Sequence, residues 1–175
     1  MKRGMTLQEL AREVSRVRMA KKDYLVPSSE GRMRTDVIGE RNVPRLNFTA
    51  PDGTHAMAMT ESSRRQLAER LRIPFQYFRR MQDEQPELLD RNVNTWLEQE
   101  GGEARMVRTL DDKVRAVLSR RYRPIDNWMV AEWVLPHLQG WEGARVESCD
   151  LTETKMYLKI VLPRVEAEVK RGDVV

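Results

Sequence analysis

The sequence predicts an α+β fold: an antiparallel sheet of hairpins with helices packed on one face. Three observations predict it. Segments of helical period are grouped in the middle of the chain instead of alternating with single strands. Two sets of alternating segments flank that group. Each set is joined by turn chemistry, Pro51-Asp52-Gly53 in the first and Asp111-Asp112 in the second. With 175 residues, the chain has the length of a single domain, taken as 1–175.

The elements follow in order. Thr6-Leu7-Gln8-Glu9 fits a capping box. Leu7, Leu10, Val14 and Val17 then recur at helical spacing to about Met19. Tyr24-Leu25-Val26 reads as a short strand ended by Pro27. Residues 28–42, rich in Ser, Gly, Arg and Asp, are expected to form a mobile loop. Leu46–Thr49 and His55–Met59 form a hairpin around the Pro-Asp-Gly turn. Thr60 caps a helix carrying Leu67 and Leu71. Pro74 opens a second helix, with Phe75, Phe78 and Met81. Pro86 opens a third, with Leu89, Val93, Trp96 and Leu97, which Gly101-Gly102 ends. Arg105–Thr109 and Val114–Leu118 form the second hairpin. Asp126 caps a helix holding Trp128, Met129, Trp133 and Leu138, which Pro136 is expected to bend or end. Strands at 145–150, 155–162 and 165–169 complete the chain.

Composition narrows the class. Hydrophobic residues make up 40% and charged residues 33%, with apolar periodicity along most of the chain, so this is a folding sequence. No apolar run approaches the roughly 20 residues that span a bilayer. The first residues lack the apolar stretch of a signal peptide. One cysteine, Cys149, excludes an internal disulfide. A reducing cytoplasm is the expected compartment.

Charge is uneven. Residues 101–125 hold seven basic and three acidic side chains, an excess equal to the net +4 of the whole chain. Arg105, Arg108, Arg115, Arg121 and Arg123 gather there around Tyr122. Strand alternation would set Arg115, Val117, Ser119 and Arg121 on one side. Guanidinium groups hold phosphates in a fork, and an exposed aromatic ring stacks on an unpaired base. These residues are the candidate nucleic-acid site, with Lys21 and Lys22 in support. The competing explanation is internal pairing with Glu103, Asp111, Asp112 and Asp126. Trp96, Trp128, Trp133, Phe75 and Phe78 fall on apolar stripes and are expected in the core. Tyr24 and Tyr122 are the aromatics expected at the surface.

Several stretches resemble the phage/plasmid-like family known as domain of unknown function 932. Ile73-Pro74 with Tyr77–Met81 is similar to one of its motifs. Val107-Arg108-Thr109, Val114–Ser119 and Arg121–Asn127 are similar to its central motif. Lys22-Asp23-Tyr24 fits its N-terminal part. The resemblance implies a gene of a mobile element and no particular activity. It also implies a strand-rich continuation beyond Gly172-Asp173.

Catalytic patterns are weak. His55 and His137 show no metal-binding spacing. Ser119 lacks a nucleophile elbow, and no Gly-rich phosphate loop is present. The expectation is therefore a protein with no cofactor or metal, leaning away from catalysis. It would bind single-stranded DNA or RNA in replication or recombination. The alternative is a protein-interaction or counter-defence module acting on a host protein. A homo-oligomer is compatible with either; a membrane partner is not expected.

Overall fold

The structure is a computed structural model and describes residues 2–152, 155–162, 168–170 and 173–174. Its elements run β1 (Lys2–Met5), α1 (Leu7–Ala20), β2 (Lys22–Pro27), β3 (Arg32–Ile38), β4 (Arg41–Ala50) and β5 (Gly53–Met59). Three helices follow: α2 (Glu61–Arg70), α3 (Phe75–Glu84) and α4 (Pro86–Gln99). Then come β6 (Ala104–Leu110), β7 (Lys113–Ser119), α5 (Asn127–Gln139), β8 (Arg145–Leu151), β9 (Met156–Val161), β10 (Glu168–Lys170) and β11 (Asp173–Val174). The fold is α+β. The chain packs as two compact units: residues 20–123, and residues 1–19 with 124–175.

The first unit holds a six-stranded sheet in the order β2-β6-β7-β5-β4-β3. All pairs are antiparallel except β5 with β7, a parallel seam registered only at Ala58↔Lys113 and Met59↔Val114. The connection between its strands, through α2, α3, α4 and β6, is long enough for the chain to return in the same direction. Beyond it, α2 takes over from β5. Ser63 Oγ donates to Val114 O at 2.8 Å, and Gln66 Oε1 accepts from Val117 N at 3.1 Å.

Alternation sorts the sheet into two faces. Tyr24, Val26, Met33, Leu46, Phe48, Met59, Val107, Val114 and Val117 share one face. They join Leu67, Leu71, Phe78, Met81, Leu89, Val93 and Leu97 of the helical segment in one core. A fully buried apolar side chain of this size contributes about 1.5–3 kcal/mol. β2 and β4 are not neighbours, yet the Tyr24 ring lies 5.3 Å from Phe48 and 5.0 Å from His55. The sheet therefore curls until its first strand meets the β4–β5 hairpin.

Local chemistry explains the termini of the elements. The Thr6 capping box forms: Thr6 N donates to Glu9 Oε2 at 2.8 Å and Glu9 N to Thr6 Oγ1 at 3.2 Å. Thr60 Oγ1 accepts from Ser63 N at the start of α2. Pro86 occupies the first turn of α4.

Two expectations are corrected, those on residues 28–42 and on the placing of the aromatics. Residues 28–42 are not a loop: a short 3-10 turn (Ser28–Glu30) leads into β3. That edge strand is tied down by α4, because Asn94 Oδ1 accepts from Met33 N and Asp90 Oδ2 from Thr35 N, each at 2.7 Å. Pro136 lies inside α5, which continues past it to Gln139. Trp96 and Trp133 are exposed at 46% and 60%, whereas Tyr24 is buried. Of the strand expected at 165–169, residues 165–167 lie outside the described residues; β10 takes up 168–170.

In the second unit, β1-β8-β9 form an antiparallel sheet, and β10 pairs with β11. Met5, Leu10, Val14 and Cys149 are buried there, with Leu7, Trp128, Val146 and Leu158 against them. The Arg18 guanidinium lies 4.0 Å above the Trp128 ring. Burial pushes the Cys149 thiol pKa up, which disfavours the reactive thiolate. Among the described residues, no helix is long and apolar enough to cross a membrane.

Candidate nucleic-acid interface

The candidate residues divide into three groups. The first is committed to internal pairing. Arg105 and Arg108, expected on phosphates, are 3% and 4% exposed. Arg105 Nη2 meets Glu100 Oε1 at 2.7 Å and Glu103 Oε2 at 3.0 Å. Arg70 joins the same two carboxylates at 3.5 and 3.4 Å. Arg108 Nε and Nη2 reach Asp23 Oδ1 and Oδ2 at 2.8 and 3.2 Å. A planar guanidinium matched to a carboxylate in this way has its fork occupied.

The second group is Lys21 and Lys22. Lys21 Nζ lies 3.8 Å from Asp23 and Lys22 Nζ 3.3 Å from Asp52. Lys22 is the register partner of Thr109, whereas Arg105 is the partner of Ser119. Four residues of strand separate Thr109 from Arg105, about 14 Å. The lysines thus stand at the opposite end of the sheet from Arg121, Tyr122 and Arg123, and the structure does not bring the two together.

The third group is free of carboxylates. Among the described residues, Arg115, Arg120, Arg121 and Arg123 form no ion pair through their guanidinium groups. Arg120, Arg121, Tyr122 and Arg123 are all exposed, Tyr122 at 39%. They follow β7 in a turn. Tyr122 N donates to Ser119 O at 3.0 Å, and Arg121 N donates to Ser119 Oγ at 3.1 Å. Contrary to simple alternation, Arg115 does not share a face with Val117 and Ser119. The register steps from Arg108↔Ala116 to Thr109↔Val114, so Arg115 is the unpaired residue of a β-bulge. Val117 is buried as a result, while Arg115 is half-exposed.

One cluster lay beyond the sequence reading. The Asp52 carboxylate, in the β4–β5 turn, accepts from His55 Nε2 at 2.9 Å, Tyr24 Oη at 3.1 Å and Lys22 Nζ at 3.3 Å. The His55 hydrogen bond, followed by those of Lys22 and Tyr24, holds the Asp52 carboxyl pKa down at about 2. Its bond to Asp52 raises the Lys22 pKa. Burial, then the same carboxylate, raises that of Tyr24. The only sequence signal was the Asp-x-x-His spacing across a turn. The cluster clamps the curled sheet at its lysine end. Among the described residues, no group of His, Cys, Asp or Glu is arranged to hold a metal ion.

No family model, curated protein or solved structure matches the chain. The resemblance to phage/plasmid-like proteins therefore rests on the motif residues alone.

Proposed function

We propose that this chain binds single-stranded nucleic acid through Arg120, Arg121, Tyr122 and Arg123. The observation that carries the reading is the exposed Arg120-Arg121-Tyr122-Arg123 turn, whose guanidinium groups lack carboxylate partners. Three cations flanking one exposed ring supply phosphate contacts and a stacking face together. A duplex buries its base faces, so the ring favours unpaired strands. The motif resemblance to mobile-element proteins supports a setting in replication or recombination.

Fluorescence anisotropy with labelled single-stranded and duplex oligonucleotides tests the proposal at low and moderate salt. Salt-sensitive binding that prefers single strands, and that is lost in the Arg120→Ala/Arg121→Ala/Arg123→Ala variant, is the expected result. No binding at low salt by the folded chain sinks it.

A second reading, a module that binds a host protein, is favoured by Val37 and Ile38. They stand 71% and 51% exposed at the end of edge strand β3. The α4 side chains cover the β3 edge at Met33 and Thr35, and an added strand would pair beyond that point. Capture of a host protein that Val37→Lys abolishes, without oligonucleotide binding, would select this reading.

A further inference from the structure

The end of α2 adopts a conformation that its residue disfavours. Ile73 N donates to Ala68 O at 2.8 Å and Arg72 N to Glu69 O at 3.1 Å, while Arg72 has φ +56°. This is a Schellman ending with arginine where glycine ordinarily sits. Side chains held in the left-handed region cost free energy and concentrate where function needs them. Arg72 is exposed, and among the described residues its guanidinium has no ion pair or hydrogen bond.

Arg72 lines a pocket of about 390 Å3 with Arg70, Leu71, Trp96, Gln99 and Glu100, within the range of small-ligand sites. Leu89, Val93 and Leu97 bury the apolar stripe of α4, but Trp96 stays 46% exposed and lines the pocket. Glu100, the pocket's carboxylate, is neutralised by Arg105 at 2.7 Å and Arg70 at 3.5 Å. The charge left over is that of Arg72. A half-exposed indole, an unpaired guanidinium and the Gln99 amide together suit a base and its phosphate. The pocket also lies toward the end of the sheet away from the lysines. Arg105, bonded to its Glu100, is the register partner of Ser119, which leads into Arg120–Arg123.

We propose that this pocket is a base-stacking subsite for an unpaired nucleotide. The base lies on Trp96, its phosphate on Arg72, and Gln99 meets the base edge. The ligand class rests on the strand-binding reading above.

The test uses the full chain, 15N-labelled, with the Trp96 indole N–H assigned by its loss in Trp96→Phe. Oligothymidylate should shift that resonance. Trp96→Ala should weaken oligothymidylate binding roughly tenfold, the order expected for one stacked base. Arg72→Gly, which relieves the backbone and so keeps the fold, should weaken it several-fold. An abasic oligonucleotide should bind the wild-type chain and Trp96→Ala alike. If oligothymidylate binds but Trp96→Ala binds it equally, the subsite is overturned and the strand-binding surface stands. If no oligonucleotide binds, the strand-binding reading fails, and thymidine monophosphate decides the pocket. A shift at Trp96 keeps it as a nucleotide site; no shift overturns it.

Discussion

Arg108 and Asp23 face each other directly across the β2–β6 pair and close a two-pronged salt bridge, at 2.8 and 3.2 Å. The arginine is nearly inaccessible, its side chain 5% exposed. Removing it leaves the partly buried Asp23 carboxylate with the looser Lys21 contact at 3.8 Å. Arg108→Met should lower unfolding stability by about 3 kcal/mol in denaturant melts. The double variant with Asp23→Leu should recover part of the loss. An unchanged melting midpoint in Arg108→Met would mean that the pair contributes nothing.

Asp52 should set the acid limit of this corner of the fold. Its folded pKa, about 2, lies below the ordinary carboxyl value of about 3.9. The sign follows: the unfolded chain binds the proton more tightly, so the stabilisation is complete above about pH 4. It is lost as pH falls toward about 2. Asp52→Asn should abolish this part of the acid dependence, seen in urea melts at stepped pH. Identical profiles for the two proteins would refute the clamp.

The β6–β7 hairpin turns on two residues, Asp111 at φ +50° and Asp112 at φ +55°. Both values are those of a two-residue type I′ turn, in which the second position favours glycine. Asp112→Gly should therefore stabilise the protein by roughly 0.5–1 kcal/mol. A loss of stability would show that the aspartate side chain serves the turn.

Salt titration separates contacts from background. Each arginine of the 120–123 turn that neutralises a phosphate adds about 0.7 to the slope of log affinity against log salt for a single strand. Arg121→Ala should reduce that slope by about this amount, and Arg108→Lys should leave it unchanged. An equal slope for wild type and Arg121→Ala would remove Arg121 from the interface.

What the sequence disclosed depended on distance along the chain. The Thr6 cap, both hairpin turns and the Pro86 start are local devices, and each stands where its spacing placed it. The fate of Arg108 was not local. Its partner is 85 positions away, and alternation says nothing about which strand lies alongside. Edge strand β3 was also hidden, because Met33 is its one buried hydrophobic residue and its remaining ties come from Asn94 and Asp90 of α4. Trp96 sits on the helical stripe that periodicity gives, yet it walls a pocket instead of filling the core. Tyr24 was misplaced because curling of the sheet carries β2 to the β4–β5 hairpin.

The parallel seam between β5 and β7 has a kinetic meaning. The β4–β5 and β6–β7 hairpins each close a loop of a few residues, which forms quickly. Joining them brings Met59 to Val114 across the whole helical segment, at a much larger loop-closure cost for two registered pairs. That short junction is thus one long-range step of assembly, beside the still more distant pairing of β2 with β6. Ser63 and Gln66 of α2 extend the junction with their own hydrogen bonds, so two short strand pairs and a helix together close the long loop.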